Sequence, residues 1–220
     1  MRILYSVGFF VILIFVNGCK GQISSENKVQ KNDSIPVKKI VGGGCDGCDI
    51  MYINLPAVLN SIDTSAGWYE QGEKLLVKGT VYKIDGKTPA SGIIVYYYHT
   101  DNNGLYSQDE KTIGIRHGHI RGWVKTDENG KYALYTVRPA PYPTGGIPAH
   151  IHVIIKEANI NEYYIDEFVF EGDKFLNDEF RSRAANRGGS GISNVTSLNG
   201  LQTIEHNIVL GQNIPDYPNK

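Results

Sequence analysis

Residues 138–152 contain a tyrosine and two histidines, side chains that bind metal ions. Tyr142 lies between two prolines, and because proline fixes its own φ and restricts the residue before it, this tyrosine is held on stiff, extended backbone. His150 and His152 follow in an alternating, β-branched run, so they project from one face of a predicted strand. Imidazole suits zinc, copper and iron, and a tyrosine oxygen favours ferric iron. The residues alone leave open a second interpretation, a buried histidine pair beside a tyrosine in a proline turn.

Four motifs in a fixed order resemble those of the intradiol ring-cleavage dioxygenases, the family of the catechol and protocatechuate 3,4-dioxygenases. The resemblance runs from about residue 75 to at least Asp173. The motifs are an Asn-Gly-x-Tyr turn at 103–106, a Thr-Asp turn with Gly-x-Tyr at 126–132, a Thr-Val-x-Pro-x-Pro-Tyr-Pro segment at 136–143, and Pro-Ala-His-Ile-His at 148–152.

The resemblance implies a non-haem Fe(III) centre with the ligands Tyr106, Tyr142, His150 and His152. In this family a catechol binds the iron through both oxygens and displaces hydroxide and the tyrosine that corresponds to Tyr142. The released groups accept the catechol protons, so the tyrosines are catalytic as well as metal-binding. The ring then reacts with O2 and is cleaved between its two hydroxylated carbons, which gives a muconate-type diacid. The implied partners are therefore a small aromatic diol and O2, and the resemblance also allows a homo-oligomer.

The sequence departs from the family pattern just before the histidines. Ile147 stands where family members usually have an arginine that is thought to face the substrate, so the choice of substrate is open. Arg116, Arg121 and Arg138 are alternative sources of a positive charge, although surface ion pairing is the more common role of an arginine. Glu167 falls near the position of a glutamine that supports the iron ligands in the family.

The other histidines are less suited to metal binding. His117 and His119 are also spaced by one residue, but the glycine between them weakens the strand, and we interpret them as residues of a pocket rim or the surface rather than as ligands. His99 and His206 lie in predicted strands as ordinary sheet residues.

Two other functions compete with ring cleavage. One is a secreted, iron-free β-sandwich that binds a ligand without catalysis. The presence of all four ligand residues, two tyrosines and two histidines, argues against it. The other is a metalloenzyme of the cupin type, which requires a later Glu and His at suitable spacing, and no such pair follows.

Short strands separated by turn residues must position these side chains. Many short strands separated by turn residues favour an all-β fold, an antiparallel β-sandwich with long loops. The resemblance implies the same architecture. Residues 174–202 form a predicted long loop with one helical turn near 177–185. The predicted strands are 75–84, 93–99, 122–126, 131–138, 149–156, 164–170 and 203–210.

The N-terminal segment resembles a bacterial lipoprotein signal. A positive charge and an apolar run at 7–16 lead to Cys19, where a lipid is attached in such signals. We therefore predict a signal peptide at 1–19, a flexible polar tether at 20–44 and the sandwich domain at 45–220. This predicts an exported protein that is attached to the membrane of the bacterial cell envelope through a lipid anchor on Cys19. An ordinary secretory signal is the alternative.

Cys45 and Cys48 form a C-x-x-C pair. No second pair completes a four-cysteine zinc site, and no βαβ pattern indicates a thioredoxin fold. Because disulfides persist in the oxidising environment outside the cytoplasm, we predict a structural disulfide between these two cysteines of an exported protein.

The composition excludes one class of partner. The 220 residues have a net charge of −1 and no basic stripe, which argues against nucleic-acid binding.

Overall fold

The computed structural model describes residues 40–218. The predicted signal peptide at 1–19, Cys19 and residues 20–39 of the predicted tether lie outside these residues, so the lipid anchor stays a prediction. Within residues 40–218, no helix is long and apolar enough to cross a membrane.

The described residues form a two-sheet β structure, which confirms the predicted all-β class. Two 3-10 helices, Cys48–Tyr52 and Ala66–Tyr69, and one α-helix, α1 (Asp178–Ser182), accompany the strands. The strands are β1 (Ile62–Thr64), β2 (Lys74–Tyr82), β3 (Ile94–His99), β4 (Arg121–Lys125), β5 (Lys131–Val137), β6 (His150–Lys156), β7 (Tyr163–Tyr164), β8 (Phe168–Phe170), β9 (Ile192–Ser193), β10 (Val195–Leu198), β11 (Leu201–Glu205) and β12 (Ile208–Val209).

The strands pair into a first sheet of order β1-β5-β2-β11-β10, with β12 on β2, and a second sheet of order β4-β3-β6-β8-β9, with β7 on β6. The long central pairs β2–β5 and β3–β6 are antiparallel, as predicted. Four pairings that each include a shorter strand are parallel, namely β1–β5, β2–β11, β2–β12 and β8–β9. The sheets are therefore mixed.

Side-chain alternation places the core between the sheets. Successive residues of a strand point to opposite faces, so Ile151, Val153 and Ile155 of β6 enter the core while His150 and His152 point outward. Leu75 and Val77 of β2 lie in the same core on the side of the first sheet. The second sheet thus presents its histidines on the face away from the main core.

A second, smaller cluster covers that outer face. The 3-10 helix Cys48–Tyr52 places Cys48 and Met51 against Tyr96 and Tyr98 of β3 and Ile154 of β6. The N-terminal segment of the domain therefore shields the face from which the two histidines project.

Local details differ from the sequence predictions. The predicted loop 174–202 contains β9 and β10, because β9 pairs with β8 and β10 with β11. The predicted strand 203–210 is interrupted between β11 and β12. The predicted strand 164–170 is split into β7 and β8, because Asp166 accepts hydrogen bonds from the backbone N–H groups of Asn186 and Arg187. Val41, in the segment predicted as tether, is buried and its N–H donates to Asn161 Oδ1 over 2.9 Å. The packed chain thus reaches back at least four residues before position 45.

Candidate metal centre

The structure brings the four predicted ligand residues together from three parts of the chain. Tyr106 Oη lies 2.7 Å from Tyr142 Oη and 2.9 Å from His152 Nε2. His150 Nε2 lies 3.1 Å from Tyr142 Oη, and the two Nε2 atoms are 3.2 Å apart. We call these four side chains the donor tetrad.

The two histidines are oriented with bare nitrogens facing each other. His150 Nδ1 lies 2.7 Å from the carbonyl oxygen of Pro148, and His152 Nδ1 lies 3.5 Å from Glu167 Oε1. Because both neighbours are acceptors, each Nδ1 holds the ring hydrogen and each Nε2 keeps its lone pair. Burial and then the neighbouring His152 lower the pKa of His150, which keeps this ring neutral. Two lone pairs at this separation repel unless a cation or a proton lies between them.

The spacing of the tetrad fits one metal ion. A cation about 2 Å from four donors in a tetrahedral arrangement sets those donors roughly 3.3 Å apart, and five donor pairs of the tetrad are separated by 2.7 to 3.4 Å. Within residues 40–218, no group of three or more His, Cys, Asp or Glu side chains has the arrangement of a metal site. A metal ion at this position would therefore use tyrosine oxygens.

The environment of Tyr106 opposes ionisation in the absence of a cation. Burial, followed by the hydrogen bond with Tyr142, raises the pKa of Tyr106 far above its ordinary value. A bound metal ion is the largest local charge in such a site and reverses this preference, since it stabilises the phenolate. We therefore expect the Tyr106 hydroxyl to be protonated without a metal ion and ionised when a metal ion is bound.

The conformation of the turn that precedes Tyr106 is fixed by hydrogen bonds within the turn and by its packing against the Pro141 segment. The Asp101 carboxylate accepts hydrogen bonds from two backbone N–H groups of the turn and from the Ser107 hydroxyl. Gly104 has a φ of 79°, and a Cβ there would lie 2.1 Å from the carbonyl oxygen of Pro141. Only glycine allows this approach, which sets the Tyr106 turn against the Pro141 segment.

His119 holds Ser107, the residue that follows Tyr106, in place through a hydrogen bond. Its Nδ1 lies 2.6 Å from the carbonyl oxygen of Ser107, and its Nε2 contacts the carboxylate of Glu70. Burial alone would lower the pKa of His119, but the hydrogen bonds with Ser107 and Glu70 outweigh burial and raise it. His119 is therefore an anchor of the Tyr106 loop and lies outside the tetrad.

The His119 contact predicts a pH-dependent contribution to stability. A histidine whose pKa is raised by folding stabilises fully below its ordinary pKa, and the stabilisation is lost as pH rises through the folded-state pKa. His119→Ala should lower the free energy of unfolding by about 1.5–3 kcal/mol near about pH 5 and by clearly less near about pH 9. Urea unfolding of both proteins across this range measures the difference. A difference that stays constant with pH would contradict the prediction.

A cavity of about 250 Å³ opens beside the tetrad. A volume of about 150 Å³ suffices for a benzene ring, so one substituted aromatic ring fits. The lining residues are Asp46, Tyr98, Tyr106, Arg116, His117, Tyr142, His152 and Tyr164.

Several of these lining residues gave no signal in the sequence. Tyr98 is paired directly with His152 across β3 and β6, but that register cannot be read from either strand alone. Tyr164 donates to the backbone oxygen of Asp46 over 3.1 Å, a contact between residues 118 positions apart. His117, interpreted as a rim or surface residue, is buried and lines the cavity.

The structure distinguishes the three arginines proposed to replace the one missing at Ile147. Arg116 lines the cavity. Arg121 is buried and donates to the backbone oxygens of Ile50 and Ile53, and Arg138 donates to the side-chain oxygen of Gln202. Ile147 itself is 41% exposed and lines a separate cleft. Arg116 is thus the cation of this cavity among the described residues.

The structure joins Cys45 and Cys48 by a disulfide bond, as expected. Cys48 is buried in the smaller cluster, so the loop between the two cysteines is fixed at the cavity. Asp46 and Gly47 of this loop stand beside Arg116 and His117.

Comparison with known proteins gives consistent matches. A family model described as "Dioxygenase" matches residues 52–210. A catechol 1,2-dioxygenase of Acinetobacter lwoffii is 31% identical over 127 residues, 50% of this chain and 40% of that protein. A chlorocatechol 1,2-dioxygenase of Pseudomonas putida is 29% identical over 138 residues, 56% of this chain and 50% of that protein. The chain spans about half the length of these relatives.

Solved structures match at the level of the fold. Catechol 1,2-dioxygenase from Acinetobacter sp. ADP1 superimposes with a TM-score of 0.53 at 21% identity, covering 70% of this chain and 58% of that chain. The dioxygenase domain of a carbohydrate-binding fusion protein from Streptomyces sp. SirexAA-E gives 0.52 at 21% identity, covering 70% and 92%.

Proposed function

The chain belongs to the intradiol dioxygenase family, and from this membership we propose that it is a non-haem Fe(III) dioxygenase. Its reaction would cleave a catechol-type ring between the two hydroxylated carbons with O2 and give a muconate-type diacid. The single observation that supports this most strongly is the convergence of two phenol oxygens and two bare imidazole nitrogens, each of which lies within 3.2 Å of at least two of the others.

We assign the iron to Tyr106, Tyr142, His150 and His152. When bound, ferric iron supplies Lewis acidity and a template that holds the reactants together. The chain supplies the orientation: the carbonyl of Pro148 and the carboxylate of Glu167 fix both imidazoles with their Nε2 atoms toward the site.

Tyr142 is the residue placed to handle a proton. Its hydroxyl lies within hydrogen-bond distance of Tyr106 and His150, and its ring lines the cavity that would hold the diol. We assign the Tyr142 oxygen as the acceptor of a catechol hydroxyl proton, a transfer that requires a positioned base. The rigid Pro141 and Pro143 on either side limit how far this side chain moves.

Iron content, colour and oxygen uptake test the proposal. Iron-loaded protein should show a red-brown visible band from tyrosinate-to-ferric charge transfer and should consume O2 with catechol. Removal of iron by a chelator should bleach the band and stop the uptake. A folded protein that binds no iron and stays colourless would reject the proposal and favour the iron-free binding module.

The contact between the Glu167 carboxylate and His152 Nδ1 is expected to support metal binding. Partners behind a metal-bound histidine typically contribute about 10–100-fold in metal affinity or activity. We expect Glu167→Leu to lose iron affinity in this range, because the Nδ1–H of His152 then lacks an acceptor. Glu167→Gln keeps an acceptor oxygen and should remain within about 10-fold of the wild type. Competition with a chelator measures both affinities, and equal losses in the two variants would contradict the prediction.

Export and lipid attachment at Cys19 are part of the proposal. The apolar run at 7–16 that leads to Cys19 supports it. The processed Cys19→Ala protein should leave the membrane fraction, and its continued partition with membranes would reject the anchor.

A further inference from the structure

The first sheet carries apolar side chains on its outer face, the side that points away from the core. Leu75 and Val77 of β2 enter the core. Their neighbours on the strand, Lys74, Leu76 and Lys78, therefore point outward. Residues that pair directly across neighbouring strands share a face, so the register identifies the outward residues of the other strands. We call this surface the open face, and its apolar side chains are Ile62, Leu76, Ala133, Tyr135, Leu198 and Leu201.

The apolar side chains of the open face are accessible to solvent. Leu198 is 75% exposed and Ile62 is 59% exposed, and they lie on the two edge strands β10 and β1. Leu76, Tyr135 and Leu201, between these edges, are partly exposed. Five strands about 4.8 Å apart, with about five residues each at about 3.3 Å per residue, give the face an area of roughly 400 Å². Apolar patches of roughly 300–600 Å² on a monomer are often functional.

An aromatic pair and a lysine border the apolar part of the open face. Trp68 packs edge to face on Tyr135, with ring centroids 5.2 Å apart. Glu205 is paired with Lys78 in the register of the sheet, and Lys74 adds a further positive charge. Tryptophan and tyrosine combine an apolar body with a polar tip, and lysine extends its charge beyond an apolar stem, so these residues suit the level of lipid headgroups. The composition of the face therefore fits the boundary between lipid headgroups and acyl chains.

Two features favour a lipid bilayer over a protein as the partner of the open face. A stable interface between two proteins buries about 800 Å² on each side, about twice the area of this face. Residues 20–39 separate the proposed lipid on Cys19 from the described part of the chain, and a flexible chain of about 20 residues has a root-mean-square span of about 25 Å. A domain on such a tether remains within reach of the bilayer, which gives a second contact a high effective concentration.

We propose that the open face docks on the surface of the bilayer that holds the lipid anchor. This inference rests on the proposed lipid attachment at Cys19 and is independent of the proposed ring cleavage. Leu198 and Ile62 enter the boundary of the acyl chains, Trp68 lies at the headgroups, and Lys74 contacts lipid phosphates. Binding of this kind grows with the buried apolar area and with the attraction to anionic lipids.

Docking in this orientation leaves the donor tetrad on the aqueous side. His150 and His152 project from the outer face of the second sheet, which is the opposite side of the two-sheet structure from the open face. The bilayer therefore does not cover the cavity beside the tetrad, and a small substrate reaches it from water.

The two tryptophans of the chain report on opposite sides of the domain and test the proposal. Trp68 borders the open face, whereas Trp123 packs on Tyr96 in the cluster outside the second sheet. The processed lipoprotein is reconstituted in vesicles of brominated phosphatidylcholine and phosphatidylglycerol, because bromine in the acyl chains quenches only nearby tryptophans. Packed sheets lie about 10 Å apart, so Trp68 should lose most of its emission and Trp123 should lose little.

Each tryptophan is measured alone, in Trp123→Phe and in Trp68→Phe. The visible band of the iron-loaded protein reports whether each variant is folded. If Trp123→Phe does not fold, the difference between the wild type and Trp68→Phe still gives the signal of Trp68.

Leu198→Ser and Ile113→Ser form a matched pair of variants. Ile113 is 77% exposed, like Leu198, but it lies outside the first sheet. Leu198→Ser should reduce the quenching of Trp68 toward that of Trp123, because it removes apolar surface from the contact with the bilayer. Ile113→Ser should leave the quenching of Trp68 unchanged.

The outcomes separate docking, anchoring and ring cleavage. Equal quenching of Trp68 and Trp123 in a protein that sediments with the vesicles would overturn the inference and leave the anchor intact, because a tethered domain without a docked face takes all orientations. A processed protein that does not sediment with vesicles would overturn the anchor and this inference together. Unquenched Trp68 in a dimer that Leu198→Ser dissociates would assign the open face to a second copy of the chain and also overturn the inference. Iron content and oxygen uptake test ring cleavage independently of all three.

Discussion

Tyr106→Phe and Tyr142→Phe are each expected to change the visible band of the iron-loaded protein and to reduce ring cleavage more than about 100-fold. Loss of a partner behind a metal ligand typically costs about 10–100-fold, and loss of a ligand atom itself should exceed that range. Each substitution removes an oxygen that lies within 3.1 Å of two other donor atoms of the tetrad and leaves an apolar ring edge. Absorbance, iron content and oxygen uptake measure the effect.

Tyr69→Phe is the matched control for this pair. It removes a hydroxyl from a tyrosine that is 82% exposed and is not one of the residues that line the cavity. Its band, iron content and activity should equal those of the wild type. If the two tetrad variants keep an unchanged spectrum, the assignment of Tyr106 and Tyr142 as ligands is wrong.

Ile151→Ala should destabilise the fold strongly. Ile151 lies between His150 and His152 on β6, is fully buried, and points into the core between the sheets. Truncation of a buried isoleucine to alanine costs about 2–5 kcal/mol, whereas Ile151→Val should cost about 0.5–1.5 kcal/mol. The larger loss is a substantial part of the roughly 5–15 kcal/mol that holds a typical domain together.

Urea unfolding measures these losses, with Ile147→Ala as the control at an exposed isoleucine, where we expect a change within about 0.5 kcal/mol. The folded fraction of Ile151→Ala should keep the visible band, because residue 151 faces away from the tetrad. Equal losses at positions 151 and 147 would contradict the placement of β6 in the core.

The strand pattern was predictable where a segment is long and alternates. β2, β3, β4, β5 and β6 all fall within two residues of the predicted bounds. The shorter β1, β9 and β10 were not predicted. β1, for example, exists because Ile62–Thr64 pairs with residues 133–135 of β5, a contact with no local signature.

The site was predictable to the same degree. That His150 and His152 share a face follows from the period of a strand, and the four motifs indicated which tyrosines accompany them. The cavity wall was not predictable, because Asp46 and Arg116 meet across 70 residues of sequence.

The sequence by itself determined which side chains alternate toward the core, which turns need glycine, and which four residues resemble a family's iron ligands. These are local properties, set by the geometry of one strand or one turn. The tertiary structure alone decided the register that pairs Tyr98 with His152, and the docking of the Cys45–Cys48 loop beside Arg116 and His117. Both depend on contacts between distant segments, whose free energies are fixed only when the two sheets and their covering loops pack together.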